Sequence, residues 1–139
     1  SSASYLNSLV AGEIDLAMTW SGDLFQTARE NPDLDYVIPK EGTYMWVDCL
    51  ALMRGARHRQ DTLRLIDYLL EPEVAAGIAN SVRYATPNQA AQPLVDKSLR
   101  QDPRVYPTPA LMKQLQLHHV LDAEQTEMWS QTWADVKVA

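Results

Sequence analysis

One cysteine, Cys49, is all the chain has, so it holds neither an internal disulfide nor a cysteine-built zinc site. No uninterrupted apolar run approaches the ~18 residues that a membrane helix needs. Positive charge is scarce too: 12 Lys and Arg stand against 18 Asp and Glu, a net charge of -6. That balance argues against nucleic-acid binding, because a phosphate backbone demands a basic surface. No Gly-rich phosphate loop, low-complexity linker or internal repeat occurs. Ser1-Ser2-Ala3-Ser4-Tyr5 has no basic or apolar leader character, so no signal peptide is visible. What is present is enough for a core: 139 residues, 46% of them hydrophobic.

Short strands alternate with helices along the chain, which indicates an α/β fold with parallel pairing. Residues 4–10 have helical spacing and stop at Gly12. Ile14 to Met18 reads as a mostly buried strand, Leu24 to Glu30 as a helix, and Tyr36 to Ile38 as a second strand. Thr43 to Met53 is the longest strand expected. It sets Tyr44, Trp46, Asp48, Leu50 and Leu52 on one face, with Cys49 a small buried hydrophobe on the other. Asp61 is placed to cap a helix through Leu70, and Pro72 to open another, with Val74, Ala75, Ile78 and Ala79 as its apolar stripe. Residues 111–117 and 122–136 complete the helical set, and Trp129 and Trp133 are expected to pack.

Two aromatic–carboxylate pairs stand out. Asp48 lies in the apolar run Val47-Asp48-Cys49-Leu50, where a carboxylate needs a cationic or donating partner. Trp46, two residues away, would add an indole face, a good environment for an ammonium group. The alternative is an Asp at a sheet edge, paired with an Arg or bonded to backbone amides. Trp20-Ser21-Gly22-Asp23 repeats the pairing between a strand and a helix, where α/β sheets present ligands. There Asp23 could instead cap the helix, and Trp20 could be core. Strand burial makes Asp48 the more desolvated of the two carboxylates. The adjacent His118 and His119 cannot chelate as an i, i+4 pair, His58 sits in a basic loop, and no metal site is expected. No serine lies in a nucleophile elbow, so an enzyme is poorly supported.

The chain resembles the putrescine/spermidine-binding receptors of bacterial ABC importers. The resemblance runs through Tyr5-Leu6-Asn7, Ala11-Gly12-Glu13-Ile14, Trp20-Ser21-Gly22-Asp23, Ile38-Pro39-Lys40-Glu41-Gly42 and Trp46-Val47-Asp48. It continues through Leu69-Leu70-Glu71-Pro72-Glu73-Val74-Ala75, Tyr84-Ala85-Thr86-Pro87-Asn88 and Tyr106-Pro107. It implies the carboxy-terminal portion of a two-lobed periplasmic solute-binding protein (type II), with both lobes incomplete. Residues 1–44 and 93–139 would belong to the carboxy-terminal lobe, and 45–92 to the amino-terminal one.

By the same resemblance, Trp20, Trp46 and Tyr84 would form an aromatic box around a polyamine, and Asp23 and Asp48 would pair with its ammonium groups. His118 stands where some relatives place another polar contact, and is a weaker candidate. The implied partners are a polyamine and an ABC permease in the inner membrane. No cofactor is implied, and unpaired sheet edges would favour self-association of the fragment. The competing readings are a receptor for another cation such as thiamine, an acid/base enzyme using both Asp residues, and a fragment with no ligand of its own.

Overall fold

The structure is a computed structural model describing residues 4–117 and 120–138. Helix α1 spans Ser4–Val10 and α2 spans Ser21–Thr27. Strand β1, Thr43–Met45, is followed by helices α3, Arg59–Leu69, and α4, Pro72–Val82. After a 3-10 turn at Gln92–Leu94 come short helices α5, Lys97–Arg100, and α6, Pro109–Met112. Strand β2, Leu115–Leu117, and helix α7, Ala123–Val138, close the chain. Helices and a parallel strand pair make the fold α/β, as the sequence predicts.

The helices start and stop for local reasons. Gly12, at φ +70°, ends α1: its N–H donates to the Leu9 carbonyl, and that of Glu13 to Ser8. Such paired closure satisfies orphan carbonyls and favours glycine at the left-handed position. Pro72 opens α4, where its missing N–H costs nothing. Asp122 and Gln125 cap α7 reciprocally, the Gln125 N–H donating to Asp122 at 2.8 Å and the Asp122 N–H to Gln125 at 3.2 Å. Asp61 does not cap α3. His58 holds that position, and Asp61 pairs with Arg64 from within the first turn.

The strands fall short of the sequence reading. Residues 14–18 and 36–38 form no strand, and the long strand stops at Met45. A strand exists only with a partner, and β1 finds one: Thr43, Tyr44 and Met45 pair in parallel with Leu115, Gln116 and Leu117. The helix expected over 111–117 is therefore split, its last third having become β2. Gly42, at φ +95°, turns the chain into β1. A Cβ there would lie 2.2 Å from the Gln114 carbonyl oxygen, just before β2, so the turn into β1 admits only glycine.

The buried cluster joins Ala75, Ala76 and Ala79 of α4 to Ala91, Val95, Leu99 and Val105, with Phe25 and Tyr106 against it. The buried stripe of α4 is thus rotated from the expected one: Ala76 replaces Val74, and Ile78 is exposed. Small side chains let the helix approach the following segment closely. Elsewhere burial is thin. Cys49 is exposed, Leu16 and Met18 are 89% and 94% exposed, and Trp129 and Trp133 are each 61% exposed. The accessible surface is 11234 Å², where a compact protein of this mass shows about 7,300 Å². On its own the 139-residue chain is expected to self-associate in light scattering at micromolar concentration. A monodisperse monomer would show that these faces need no cover.

Arg104 ties two distant segments together. Its guanidinium grips Asp102 at 2.7 Å, bonds Asp35 and the Tyr36 carbonyl, and lies 4.9 Å from the Phe25 ring centroid. The bond from Arg104 holds the half-buried Asp102 carboxyl below the usual carboxylate range. A depressed folded pKa stabilises the fold above the unfolded value near ~3.9, and that stability is lost as pH falls through the folded value. Arg104→Gln should therefore cost about 1 kcal/mol near neutral pH, a figure kept small because the pair is part-exposed. Thermal melts at pH 7 and pH 3 should show the gap to wild type closing in acid, and a gap of constant size would refute the assignment.

Candidate functional site

Three aromatic rings meet at the start of α2. Trp20 is its N-cap residue, and Thr19 beside it donates to the Tyr5 hydroxyl of α1 at 3.2 Å. The Trp20 and Trp46 rings lie 4.4 Å apart, centroid to centroid, inclined at 62°. Trp46 in turn meets Tyr84 at 5.5 Å and 79°, edge to face. Such tilted pairs are the favoured arrangement of aromatic quadrupoles. Trp20 is 46% and Trp46 38% exposed, so neither indole is a core residue. Their open surface is available to a ligand.

Asp23 completes the cluster. It sits in the first turn of α2, half-buried, where the helix dipole favours an anion. It does not cap the helix. Instead it accepts a hydrogen bond from the Tyr84 hydroxyl at 3.0 Å, across 61 residues of chain. Burial, with the carboxylate beside it, pushes the Tyr84 phenol well above the ordinary tyrosine range. Tyr84→Phe deletes only that hydroxyl, and should lower the melting stability of the protein by about 1 kcal/mol. An unchanged melting temperature would mean that the bond is not formed in solution.

The glycine between them has a role the sequence reading missed. Gly22 lies inside α2 and is buried. A Cβ on it would fall 2.3 Å from Tyr84 Cε2 and 2.5 Å from Cδ2 and Cζ. The phenol ring therefore lies directly against the helix backbone, which is what brings its hydroxyl to Asp23. A glycine in a helix where alanine would be more stable was the available signal. Gln26 gave none.

The remaining predicted residues lie apart. Asp48 is exposed and has no hydrogen bond or ion pair among the described residues. It is not the desolvated carboxylate expected, because β1 ends at Met45 and the alternation that would align Asp48 with Trp46 ends with it. His118 lies outside the described residues. No group of three metal-ligating side chains is assembled among the described residues.

The model of a family described as bacterial extracellular solute-binding protein matches residues 1–108. The chain belongs to that family. Its two Trp rings, Asp23 and Tyr84 fall within the matched stretch. The putrescine-binding periplasmic protein of Pseudomonas aeruginosa (strain UCBPP-PA14) is 32% identical over 142 residues, covering 98% of this chain and 39% of the relative. The spermidine/putrescine-binding periplasmic protein of Escherichia coli (strain K12) is 36% identical over 107 residues, covering 77% of this chain and 31% of the relative. A solved Listeria monocytogenes chain, assigned as a spermidine/putrescine ABC transporter, superposes with a TM-score of 0.83 at 30% identity. That superposition covers 98% of the present chain and 42% of the other. The chain thus spans about a third to two fifths of the length of the relatives it matches. The α/β fold is that of part of a solute-binding protein, and the family binds solutes rather than transforming them.

Proposed function

We propose that the chain supplies one side of a polyamine site in a periplasmic receptor that delivers putrescine or spermidine to an ABC permease in the inner membrane. The observation that carries this reading is Asp23, half-buried and hydrogen-bonded to Tyr84, at the edge of the Trp20–Trp46–Tyr84 ring cluster. An ammonium there gains charge pairing and a cation–π contact of up to ~2 kcal/mol where water is excluded, and the rings cover the methylenes between amines. Neutral sugars gain neither, and anions are repelled. The relatives' names point to the same ligand class. The corresponding motion would be closure of two lobes about a hinge, with residues 1–44 and 93–139 in one lobe and 45–92 in the other. On that map the buried cluster straddles the return crossing near Ala91. Asp48, open here, would meet the second ammonium on closure.

Calorimetry on the full-length protein with putrescine, spermidine, amino acids and sugars tests the reading. Tight binding of the amines alone is expected, and tight binding of a sugar would overturn it. The same titration ranks the carboxylates. Asp23→Asn should weaken amine binding more than Asp48→Asn, by about 1 kcal/mol, because an exposed charge is screened by water and salt. The reverse order would place the stronger ion pair at position 48.

A further inference from the structure

Nothing above explains Gln26, an exposed residue on α2 that touches neither a ring nor a carboxylate of the site. Its side-chain amide donates two hydrogen bonds. One goes to the Gly22 carbonyl at 3.2 Å, and the other to the Val82 carbonyl at 3.0 Å, across 56 residues. Gly22 is the residue against which the Tyr84 ring lies, and Val82 is the last residue of α4, two before Tyr84. Between Val82 and Tyr84 stands Arg83, at φ +63°, a left-handed conformation that reverses the chain at the helix end. The reversal at Arg83, one residue before Tyr84, therefore adjoins a carbonyl that Gln26 holds.

The geometry points to Gln26 as a positioning residue: by bracing the Gly22 and Val82 carbonyls together, it sets the distance between the Asp23 carboxylate and the Tyr84 ring, and with it the width of the amine site. The inference rests on the amine-binding reading of that site. Carbonyl oxygens at the end of a helix have no partner within it, so the bond to Val82 satisfies a group that water would otherwise take. One side-chain amide has the two N–H donors that the brace requires. No apolar residue of equal length can replace it. The Tyr84 ring reports the geometry directly, since it stands against Gly22 and Trp46 and its hydroxyl donates to Asp23.

The test is Gln26→Met in the full-length protein, a change that keeps side-chain length and removes both donors. Because the residue is exposed, the variant should fold and melt close to wild type. Without ligand, the NMR cross-peaks between the Tyr84 and Trp46 rings, which lie 5.5 Å apart, should weaken in the variant relative to wild type. Putrescine and spermidine affinities should fall about three- to tenfold, the scale of one or two exposed hydrogen bonds. In a Tyr84→Phe background the same substitution should change affinity by less than twofold, since the group it positions is gone. Undiminished ring cross-peaks, or an equal loss of affinity in both backgrounds, overturn the role. A wild-type protein that binds neither amine refutes the proposed function instead, and the ligand-free ring cross-peaks then decide the positioning role alone.

Discussion

Gly22→Ala is expected to destabilise the protein, although alanine is the better helix former by about 1 kcal/mol. The added methyl would stand 2.3 to 2.5 Å from three atoms of the Tyr84 ring. A ring cannot yield as the end of a flexible side chain does, and its backbone is set by the left-handed Arg83 before it. Overpacking of this kind costs about 1–3 kcal/mol, so it outweighs the gain in helix propensity. Displacing the ring also breaks the bond to Asp23 and opens the edge contact with Trp46, so amine affinity should drop about tenfold or more. Thermal melts and calorimetry on the full-length protein check both effects. The sign can be inverted: in a Tyr84→Ala background the space is open, and Gly22→Ala should become neutral or stabilising. If it still destabilises there, the Tyr84 contact is not the reason for glycine.

Trp46→Ala is expected to be the most damaging change to binding. Trp46 is the central ring, in contact with Trp20 on one side and Tyr84 on the other. Its removal forfeits its share of the attraction to an ammonium, up to ~2 kcal/mol where water is excluded, and leaves Trp20 and Tyr84 without the ring between them. A loss on the order of 2 kcal/mol is roughly thirtyfold in Kd. Trp46→Phe keeps a ring in place and should recover most of it. Because Trp46 is 38% exposed in this chain, stability should suffer less than affinity. A lowered melting temperature with amine affinity unchanged would make Trp46 a packing residue and dissolve the box.

The two substitutions probe different halves of one arrangement. Gly22 and Gln26 determine where Tyr84 stands, whereas Trp46 and Asp23 offer the surfaces that a cation would meet. Of these four, the sequence pointed to Trp46 and Asp23 alone, because ligand chemistry is written in residue type. Support is not. A glutamine on an exposed helical face carries no mark of the two carbonyls it joins.

The amino-acid sequence by itself determined most of the helices, the α/β class and the family, and it named the three rings that meet at α2. A helix closes its hydrogen bonds within a few residues, so its start at Pro72 and its stop at Gly12 are local facts. The tertiary structure decided everything that needed a distant partner. Only three residues of the expected 43–53 strand formed β1, because only they meet β2. Asp48, an intended member of a buried strand face, became exposed for the same reason, and Trp129 and Trp133 lie uncovered on α7. The bond between Tyr84 and Asp23 and the brace from Gln26 to Val82 join residues 61 and 56 positions apart. No local preference encodes such distances: they are set when α2 and α4 pack, and a side chain can bond only what packing has brought within reach.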